Sequence, residues 1–372
     1  RNKQRKGGIK VHAIEKILAK AAGKNRVTTG EIVNAKVDFA EINDLYLQTV
    51  YSFREMGGEK VWDPSRAAFV FDHYAPAPTI KSAKIHQEMR AFAQENNLTY
   101  HFDVNCGVCH QVMPERGVIY PGMIIVATDS HTTTHGAFGA FGTGVGATDM
   151  ATILISGELW FRVPEVIEIR IEGIPPQGVY PKDVILSILG KIKADGAVYK
   201  AIDFTGGYIE QLDVAGRMVI CNMAVEMGAK TAYMQPNQKV LDYVTKRAVR
   251  PFEVQFTDED FVYSESYVFD VSALSPQVAV PHSVDNVQPL ETVEKVKINQ
   301  GFIGTCTGGR EEDIAVAAQI LKGKKIPPYV RLVVIPASAE VMQACLDKGY
   351  LQALIEAGAA ISTPGCGPCL GA

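Results

Sequence analysis

The sequence contains no apolar run long enough to cross a membrane: a spanning helix needs about 18–20 residues, and the longest candidate covers only residues 123–127. It also lacks a strong excess of one charge, with 37 Lys and Arg against 41 Asp and Glu and a net charge of −4. We therefore expect neither a membrane span nor a general attraction to nucleic acid. With 47% hydrophobic and 21% charged residues over 372 positions, the composition is typical of a folded globular protein.

A secretory signal is missing too, because residues 1–10 are basic and contain no apolar segment. We expect a solvated start there rather than an arm that binds nucleic acid. Cysteine is scarce, and an odd number of seven without a signal argues against a disulfide framework. These features predict a reducing, cytoplasmic setting, in which a cluster of cysteines indicates metal or redox chemistry.

Short apolar strands alternate with amphipathic helices, which predicts an α/β fold with several parallel or mixed α/β/α layers. The pattern predicts helices at residues 11–23, 44–56, 79–95, 148–161, 214–227, 236–249 and 311–321, and strands at 67–71, 123–127, 166–173 and 330–336. The glycine-rich residues 136–146 do not match a dinucleotide-binding fingerprint and are interpreted as a tight turn. Proline-containing stretches suit domain boundaries, and we expect α/β units at residues 1–164, 165–285 and 286–372.

Three cysteines near the C-terminal end form the strongest candidate for a chemical site. Cys306 lies in GTCTGG, between a strand-like segment and a helix, and Cys366 and Cys369 lie in TPGCGPCLG. Three thiolates on one centre would leave zinc with an open position, or a cubane cluster with one iron that lacks a protein thiolate. An open metal of this kind is a Lewis acid. The alternative for the C-x-x-C pair is a redox pair or two buried thiols.

Pairs of aspartate and histidine follow the apolar strand-like segments. These residues are Asp72 and His73, His110, and the group Asp129, Ser130 and His131. The carboxyl ends of parallel strands carry sites in α/β folds, and a carboxylate beside an imidazole raises its basicity, which suits a general acid. The alternative is a set of structural histidines that cap strand ends.

Asn222 and Glu226 are four residues apart, so one helical face would present both to a pocket. The alternative is a polar face that is exposed to solvent.

Cys106, Cys109 and His110 fit the C-x-x-C-H pattern of haem attachment, which is disfavoured because no export signal is present. A helical zinc pair of His131 and His135 is disfavoured because the three intervening threonines are poor helix formers.

Several long motifs together resemble the aconitase superfamily. They are DSHTTTHGAFGAFGTGVGATDM, GTCTGGREED and GCGPCLG, supported by FDH, GVCHQV, CNMAVEMG and PHSVDNV. Their order and spacing are similar to those of the separate large subunit of 3-isopropylmalate dehydratases and homoaconitases. The resemblance runs from about residue 12 to the end, and it implies aconitase-like domains 1–3 with the site between domains.

The resemblance implies a 4Fe–4S cluster, sensitive to air, that is held by Cys306, Cys366 and Cys369 with the fourth iron free. It implies reversible dehydration of a 2- or 3-hydroxy di- or tricarboxylate. Asp72 and His73 match the pair that protonates the departing hydroxyl. The other matching residues are His110, Asp129 and His131 around the iron-bound water, Ser130 and Gln48 beside the substrate, and Asn222 and Glu226 near cluster and hydroxyl.

The expected reaction is that of 3-isopropylmalate dehydratase in leucine biosynthesis, with homoaconitase, dimethylmalate dehydratase or aconitase-type activity as alternatives. The chain departs from the family pattern at Gln48, where the isopropylmalate enzymes usually carry Pro, and at Gly308, where Asn is usual. It also stops at Ala372, before the expected C-terminal part, so a small subunit that carries the swivelling domain is expected as a partner. Alternatives of another class are an RNA-binding regulator without a cluster and a metal-free remnant that only binds its partner.

Overall fold

A computed structural model describes residues 9–371 and confirms the α/β fold class. In this part of the chain the helices are α1 (Ala13–Ala21), α2 (Gln48–Glu55), α3 (Ile80–Glu95), α4 (Cys109–Glu115), α5 (Ala147–Ser156), α6 (Pro181–Ile192), α7 (Gly207–Gln211), α8 (Val214–Asn222), α9 (Gln238–Thr245), α10 (Thr305–Gly308), α11 (Glu311–Leu321), α12 (Ala339–Asp347) and α13 (Tyr350–Ala357). Short 3-10 helices cover Ser130–Phe138, Met223–Met227, Leu290–Thr292 and Gly367–Cys369. None of the helices formed by residues 9–371 combines the length and the apolar character needed to cross a bilayer.

The strands over the same residues are β1 (Ile32–Lys36), β2 (Phe39–Asn43), β3 (Ala67–Val70), β4 (Tyr100–Phe102), β5 (Ile124–Ala127), β6 (Phe141–Gly144), β7 (Glu158–Arg162), β8 (Val166–Glu172), β9 (Ala201–Thr205), β10 (Thr231–Tyr233), β11 (Glu265–Asp270), β12 (Gln277–Ala279), β13 (Val287–Pro289), β14 (Gln300–Gly304), β15 (Arg331–Ile335) and β16 (Ala360–Ile361). Most of them pair in parallel, and β1–β7 and β12–β13 pair antiparallel. Parallel pairing is the arrangement expected for strands that alternate with helices.

A five-stranded parallel sheet with the order β4-β3-β2-β5-β6 positions the candidate site. The chain leaves β2 toward β3 and β4 on one side, and β5 and β6 then add to the other side. Between β2 and β5 the direction of winding therefore changes, and such a switch point leaves a crevice at the carboxyl ends of the strands. The central strands are buried along their whole length, as strands covered by helices on both faces are.

Two further parallel sheets follow along the chain, with the orders β10-β9-β8-β11 and β14-β15-β16. Each of the three parallel sheets lies within one of the three units expected from the sequence, and the boundaries of those units stay a prediction. Two large apolar clusters pack around the first two sheets, and a smaller cluster around Ile314, Val334 and Leu354 packs against the third.

The structure corrects three predicted elements. The helix expected at residues 44–56 begins only at Gln48, so Asp44 lies in the loop after β2. The helix expected at 148–161 ends at Ser156, because Gly157 takes a left-handed φ of 73°, and the following residues form β7 against β1. The glycine-rich stretch 136–146 is not a simple turn, since it contains β6.

A buried polar contact joins the first helix to the second sheet. His12 caps α1 by accepting the Ile14 N–H at Nδ1 (3.1 Å), so its Nε2–H donates to Asp203 Oδ2 at 2.9 Å. The Tyr263 hydroxyl donates to the same oxygen at 2.8 Å. One carboxylate on β9 thus satisfies a buried donor, His12, and a half-buried donor, Tyr263, from distant segments of the chain.

We predict that Asp203→Leu lowers the free energy of unfolding by about 2–5 kcal/mol, because it leaves the buried His12 and half-buried Tyr263 donors without an acceptor. Tyr263→Phe removes the hydroxyl donor together with its hydrogen bond, and it should lower the free energy of unfolding by only about 1 kcal/mol. Urea denaturation of the three proteins measures both effects. Equal midpoints for the two variants would show that Asp203 does not hold these segments together.

Candidate active site

Three aspartates lie at the carboxyl ends of β2, β3 and β5 and surround one imidazole. Asp72 Oδ1 lies 2.7 Å from His73 Nδ1, and Asp44 Oδ1 lies 3.6 Å from the same nitrogen. Asp129 Oδ2 lies 3.5 Å from His73 Nε2. The switch point of the sheet is the cause of this convergence, because the three strands are adjacent and end at one edge.

The protonated form of His73 is strongly favoured. Burial lowers the pKa of His73, whose exposed fraction is 4%, but the charge of Asp72 and the hydrogen bonds of the other aspartates raise it by more. The net result is a pKa far above the usual range for histidine. An imidazolium that is held by carboxylates can donate a proton to a ligand.

Two more histidine–carboxylate pairs extend this cluster. His110 Nε2 lies 2.9 Å from Asp129 Oδ1, which also accepts the His131 N–H at 2.8 Å. His131 Nε2 lies 3.1 Å from Glu226 Oε1. Burial opposes the charged form of His131, but its carboxylate partners outweigh burial and raise its pKa to about 11. The Asp129 carboxylate is the common partner, and despite its burial these histidines hold its pKa well below the usual range.

Asn222 links this cluster to the first candidate metal ligand. Its Nδ2 donates to Cys306 Sγ at 3.1 Å and to Thr134 Oγ1 at 2.7 Å. Asn222 is the last residue of α8, and Glu226 follows in the 3-10 helix Met223–Met227. The expectation of one regular helical face is therefore wrong in detail, although both side chains contact residues of the site.

The loops that carry the three candidate thiols meet at the same place. The Cys366 N–H donates to the Asp72 backbone oxygen at 2.6 Å, so the C-x-x-C loop lies against the residue that holds His73. His131 and Lys182 act electrostatically on both Cys306 and Cys369. Hydrogen bonding to Cys366 lowers the pKa of Cys369 to about 6, which favours a thiolate.

This donor set suits an iron–sulfur cluster that is bound by three thiolates. The thiols come from two loops, and Asn222 supplies an N–H···S bond of the kind that tunes such clusters. At Gly308, where the family usually carries Asn, an added Cβ would meet nothing within 4 Å. Cys109–His110–Asp129 and Asp44–Asp72–His73 are groups whose donor atoms lie within 4.8 Å of one another, and both already pair internally.

Two predicted substrate residues lie at the edge of the site rather than within it. Ser130 is exposed, and its Oγ lies 3.3 Å from His131 Nδ1. Gln48 is exposed at the start of α2, and among residues 9–371 its side chain has no hydrogen bond to the cluster of histidines and aspartates.

Sequence reasoning missed Asp44, although it follows β2 as Asp72 follows β3. It accepts the N–H groups of His73 (3.0 Å) and Tyr74 (2.8 Å) and lies 2.9 Å from His86 Nε2. The assignment of a helix to residues 44–56 hid this strand-end position. Recognition of the apolar run before Asp44 as a strand would have revealed it.

Glu41 was missed as well, and it is the least satisfied acid of the site. It is 1% exposed, and neither of its carboxylate oxygens has a hydrogen-bond partner within the described residues. Burial raises the pKa of Glu41 well above its usual range, and the charges of Asp72 and Asp129 raise it further. The available signal was a single acid inside the apolar strand β2.

We predict that Glu41→Gln stabilises the protein at neutral pH. The folded state holds the Glu41 proton more tightly than the unfolded state does. The stability that this proton provides is complete below the unfolded pKa and is lost as pH rises toward the folded pKa. Across that range the advantage of the variant should grow by up to about 1.4 kcal/mol per pH unit.

Thermal unfolding of wild type and Glu41→Gln at about pH 5 and about pH 8 tests this. Glu41 makes the stability depend on pH only above the pKa of its carboxyl group in the unfolded chain. Exposed Glu59→Gln is the matched control and should show no such trend. A difference between wild type and Glu41→Gln that does not change with pH would mean that Glu41 is not held neutral.

Comparisons with known proteins identify the family of this chain. The sequence profile of the Aconitase family (aconitate hydratase) matches residues 15–297 and 288–372. A probable methanogen homoaconitase large subunit of Methanothermobacter thermautotrophicus is 50% identical over 98% of this chain and 86% of its own. A probable 3-isopropylmalate dehydratase large subunit of the same organism is 49% identical over 96% of this chain and 85% of its own, and 3-isopropylmalate dehydratase large subunit 1 of Methanopyrus kandleri is 50% identical over the same shares. The resemblance noted in the sequence is confirmed, and the chain belongs to the aconitase family.

Proposed function

We propose that the chain is the large subunit of a hydro-lyase that reversibly removes water from a 2- or 3-hydroxy di- or tricarboxylate. One observation carries the proposal: Asp72 holds the His73 imidazolium through its carboxylate (2.7 Å) and the Cys366 loop through its backbone oxygen (2.6 Å). A proton donor and a set of soft metal ligands are thereby fixed to the same residue. This combination suits the loss of a hydroxyl group from a substrate that also binds a metal.

We propose that Cys306, Cys366 and Cys369 hold a 4Fe–4S cluster. When bound, a cluster with one iron free of protein thiolate supplies a Lewis acid for a hydroxyl and a carboxylate. Asn222 supports this assignment, because its Nδ2 donates to Cys306 Sγ while its buried Oδ1 has no partner among residues 9–371. Beside the thiol, this unpaired buried oxygen is placed to accept a hydrogen bond from a hydroxyl group of a ligand.

His73 is the proposed general acid. Asp72 occupies its Nδ1, so the ring would donate the Nε2 proton to the departing hydroxyl. Asp44 fixes the backbone on either side of the donor by accepting the N–H groups of His73 and Tyr74. In the reverse direction the neutral ring would take the proton back from water.

The remaining pairs are proposed to bind the water that is released or added. His110 and His131 both contact Asp129, and the second contact of His131 is Glu226. Each ring therefore has a carboxylate that fixes its orientation. Ser130 and Gln48, at the edge of the site, are proposed to contact substrate carboxylates.

We also propose a second subunit, and α/β units at residues 1–164, 165–285 and 286–372 with the site between them. The relatives named above carry the words large subunit, and Cys369 is exposed on this chain. A partner that covers this face would shield the cluster and complete the binding of substrate carboxylates. Relatives named for homoaconitase and for 3-isopropylmalate dehydratase match at 50% and 49% identity, so either reaction fits the proposal.

A hydration assay tests the function. The chain is reconstituted with iron and sulfide without oxygen, mixed with the small subunit, and offered citraconate-, aconitate- and isopropylmaleate-type acids. We expect turnover that saturates with the small subunit and is negligible for the chain alone. Absence of turnover with all three classes would refute the proposed function.

We predict that Cys306→Ser, Cys366→Ser and Cys369→Ser each lose the visible absorbance of the reconstituted cluster, because a hydroxyl does not replace a thiolate at soft iron. Cys106→Ser is the matched control, since Cys106 is half-buried and outside this set, and it should keep the absorbance. The opposite pattern, with loss in the Cys106 variant and retention in the Cys306 variant, would contradict the ligand assignment.

We predict that His73→Asn keeps the cluster absorbance but lowers kcat by roughly 10²–10⁴, the usual contribution of a general acid. Asp72→Asn should cause a smaller loss, because it disturbs the orientation and protonation of the ring. His282→Asn, at an exposed histidine, is the control. Steady-state rates are compared for wild type and the three variants at matched cluster content. A wild-type kcat in His73→Asn would show that His73 is not the general acid.

A further inference from the structure

A cavity of about 360 Å³ is lined by residues of the active-site cluster and by a lysine. Asp129 and Ser130 share its wall with Val225, Ala229 and Lys230. The volume is within the range of small-molecule sites, roughly 300–1,000 Å³. A ligand that touches Ser130 therefore has room to extend toward Lys230.

Within residues 9–371 the Lys230 ammonium group forms no hydrogen bond or ion pair. Its Nζ instead lies 5.6 Å from the centre of the Tyr199 ring. A cation–π contact attracts the charge to the ring face and leaves the three N–H donors unused. Burial disfavours this charge and lowers the pKa of Lys230, while Asp149 offsets part of that effect.

Tyr199 is held firmly in the position that this contact needs. Its φ of 60° is unusual for a residue with a side chain, and its N–H donates to the Gly228 oxygen at 3.0 Å. The Arg162 guanidinium also lies 4.7 Å from the ring centre. Two cations, Arg162 and Lys230, are thus placed on one aromatic ring.

The lining of the cavity does not supply a free anion for Lys230. Asp129 is the acid in that lining, and its oxygens are already engaged by His110, His131 and His73, while Asp149 acts on Lys230 through its charge without forming an ion pair. A half-buried ammonium group with free donors is best satisfied by a carboxylate, which accepts charge-assisted hydrogen bonds.

We propose that Lys230 is a substrate-binding residue whose ammonium group takes a carboxylate of the hydroxy acid, at the end remote from the departing hydroxyl. This assignment rests on the proposed function, since it places the reacting end of the ligand at the His73 and Asp129 cluster. It adds a cationic subsite on this chain, and it favours substrates with carboxylates at both ends.

The test compares Lys230→Met, which keeps length and removes charge, with Lys230→Arg, which keeps the charge. Both are assayed as the assembled enzyme with its small subunit, and Lys246→Met at an exposed lysine is the control. We expect Lys230→Met to raise KM about 10- to 100-fold, the effect of losing one hydrogen bond to a charged group, with kcat within about threefold of wild type. Lys230→Arg should recover most of the affinity, and the control should match wild type.

A binding measurement separates this inference from the proposed reaction. Tricarballylate, a tricarboxylate without a hydroxyl to lose, should raise the thermal midpoint of the assembled enzyme and of Lys230→Arg but not that of Lys230→Met. If these midpoint shifts are observed but no hydroxy acid is turned over, the carboxylate subsite at Lys230 is supported and the proposed reaction is refuted. An unchanged KM in Lys230→Met, or an equal rise of its midpoint, would overturn the subsite. If sulfate at the same ionic strength raised the thermal midpoint as much as tricarballylate does, the site would be a general anion site, and the proposed carboxylate subsite would be wrong.

Discussion

The protonated ring of His73 among three buried aspartates is the interaction on which the rest of the site depends. Isolated buried carboxylates are costly, and they are tolerated when paired and hydrogen-bonded. Each aspartate here also orders the backbone: Asp44 accepts two N–H groups after β3, Asp72 accepts the Cys109 N–H at the start of α4, and Asp129 caps the 3-10 helix Ser130–Phe138. The charges that hold the imidazolium therefore also set the loops that carry the other functional residues.

Contacts between distant segments then bring the thiol loops to this charge cluster. Arg310, four residues after Cys306, donates to Gln111 at 3.0 Å, and Gln111 in turn bonds Glu115 on the same helix α4. The C-terminal segment also approaches this region at Gly107, where an added Cβ would lie 2.4 Å from the Ala337 oxygen. Because α4 begins at the N–H bonded by Asp72, the position of the cysteines is tied to that of the acid.

Groups that destabilise the fold are concentrated around the same crevice. Among residues 9–371, Glu41 is buried without a hydrogen-bond partner, Asn222 Oδ1 is unpaired, and the Lys230 ammonium group forms no hydrogen bond or ion pair. Polar groups left in this condition cost stability, and proteins retain them mainly where a ligand completes their bonding.

The sequence by itself determined the α/β class and the family, and it singled out most of the residues that the structure brings together around His73, because strands that alternate with helices and long polar motifs are local signals. It placed Asp72, His73, Asp129 and the three cysteines in strand-end or loop positions before any contact was known. It did not reveal Asp44, since the apolar run of β2 is too short to distinguish from the start of a helix, nor β7, whose pairing with β1 depends on residues far away in the chain. Only the tertiary structure decided which charges meet. The switch between β2 and β5 brings Asp44, Asp72 and Asp129 to one imidazole and buries Glu41 near them, and the fold places Lys230 in the wall of a cavity that Asp129 also lines. Sequence spacing does not contain the distances on which protonation and pairing depend.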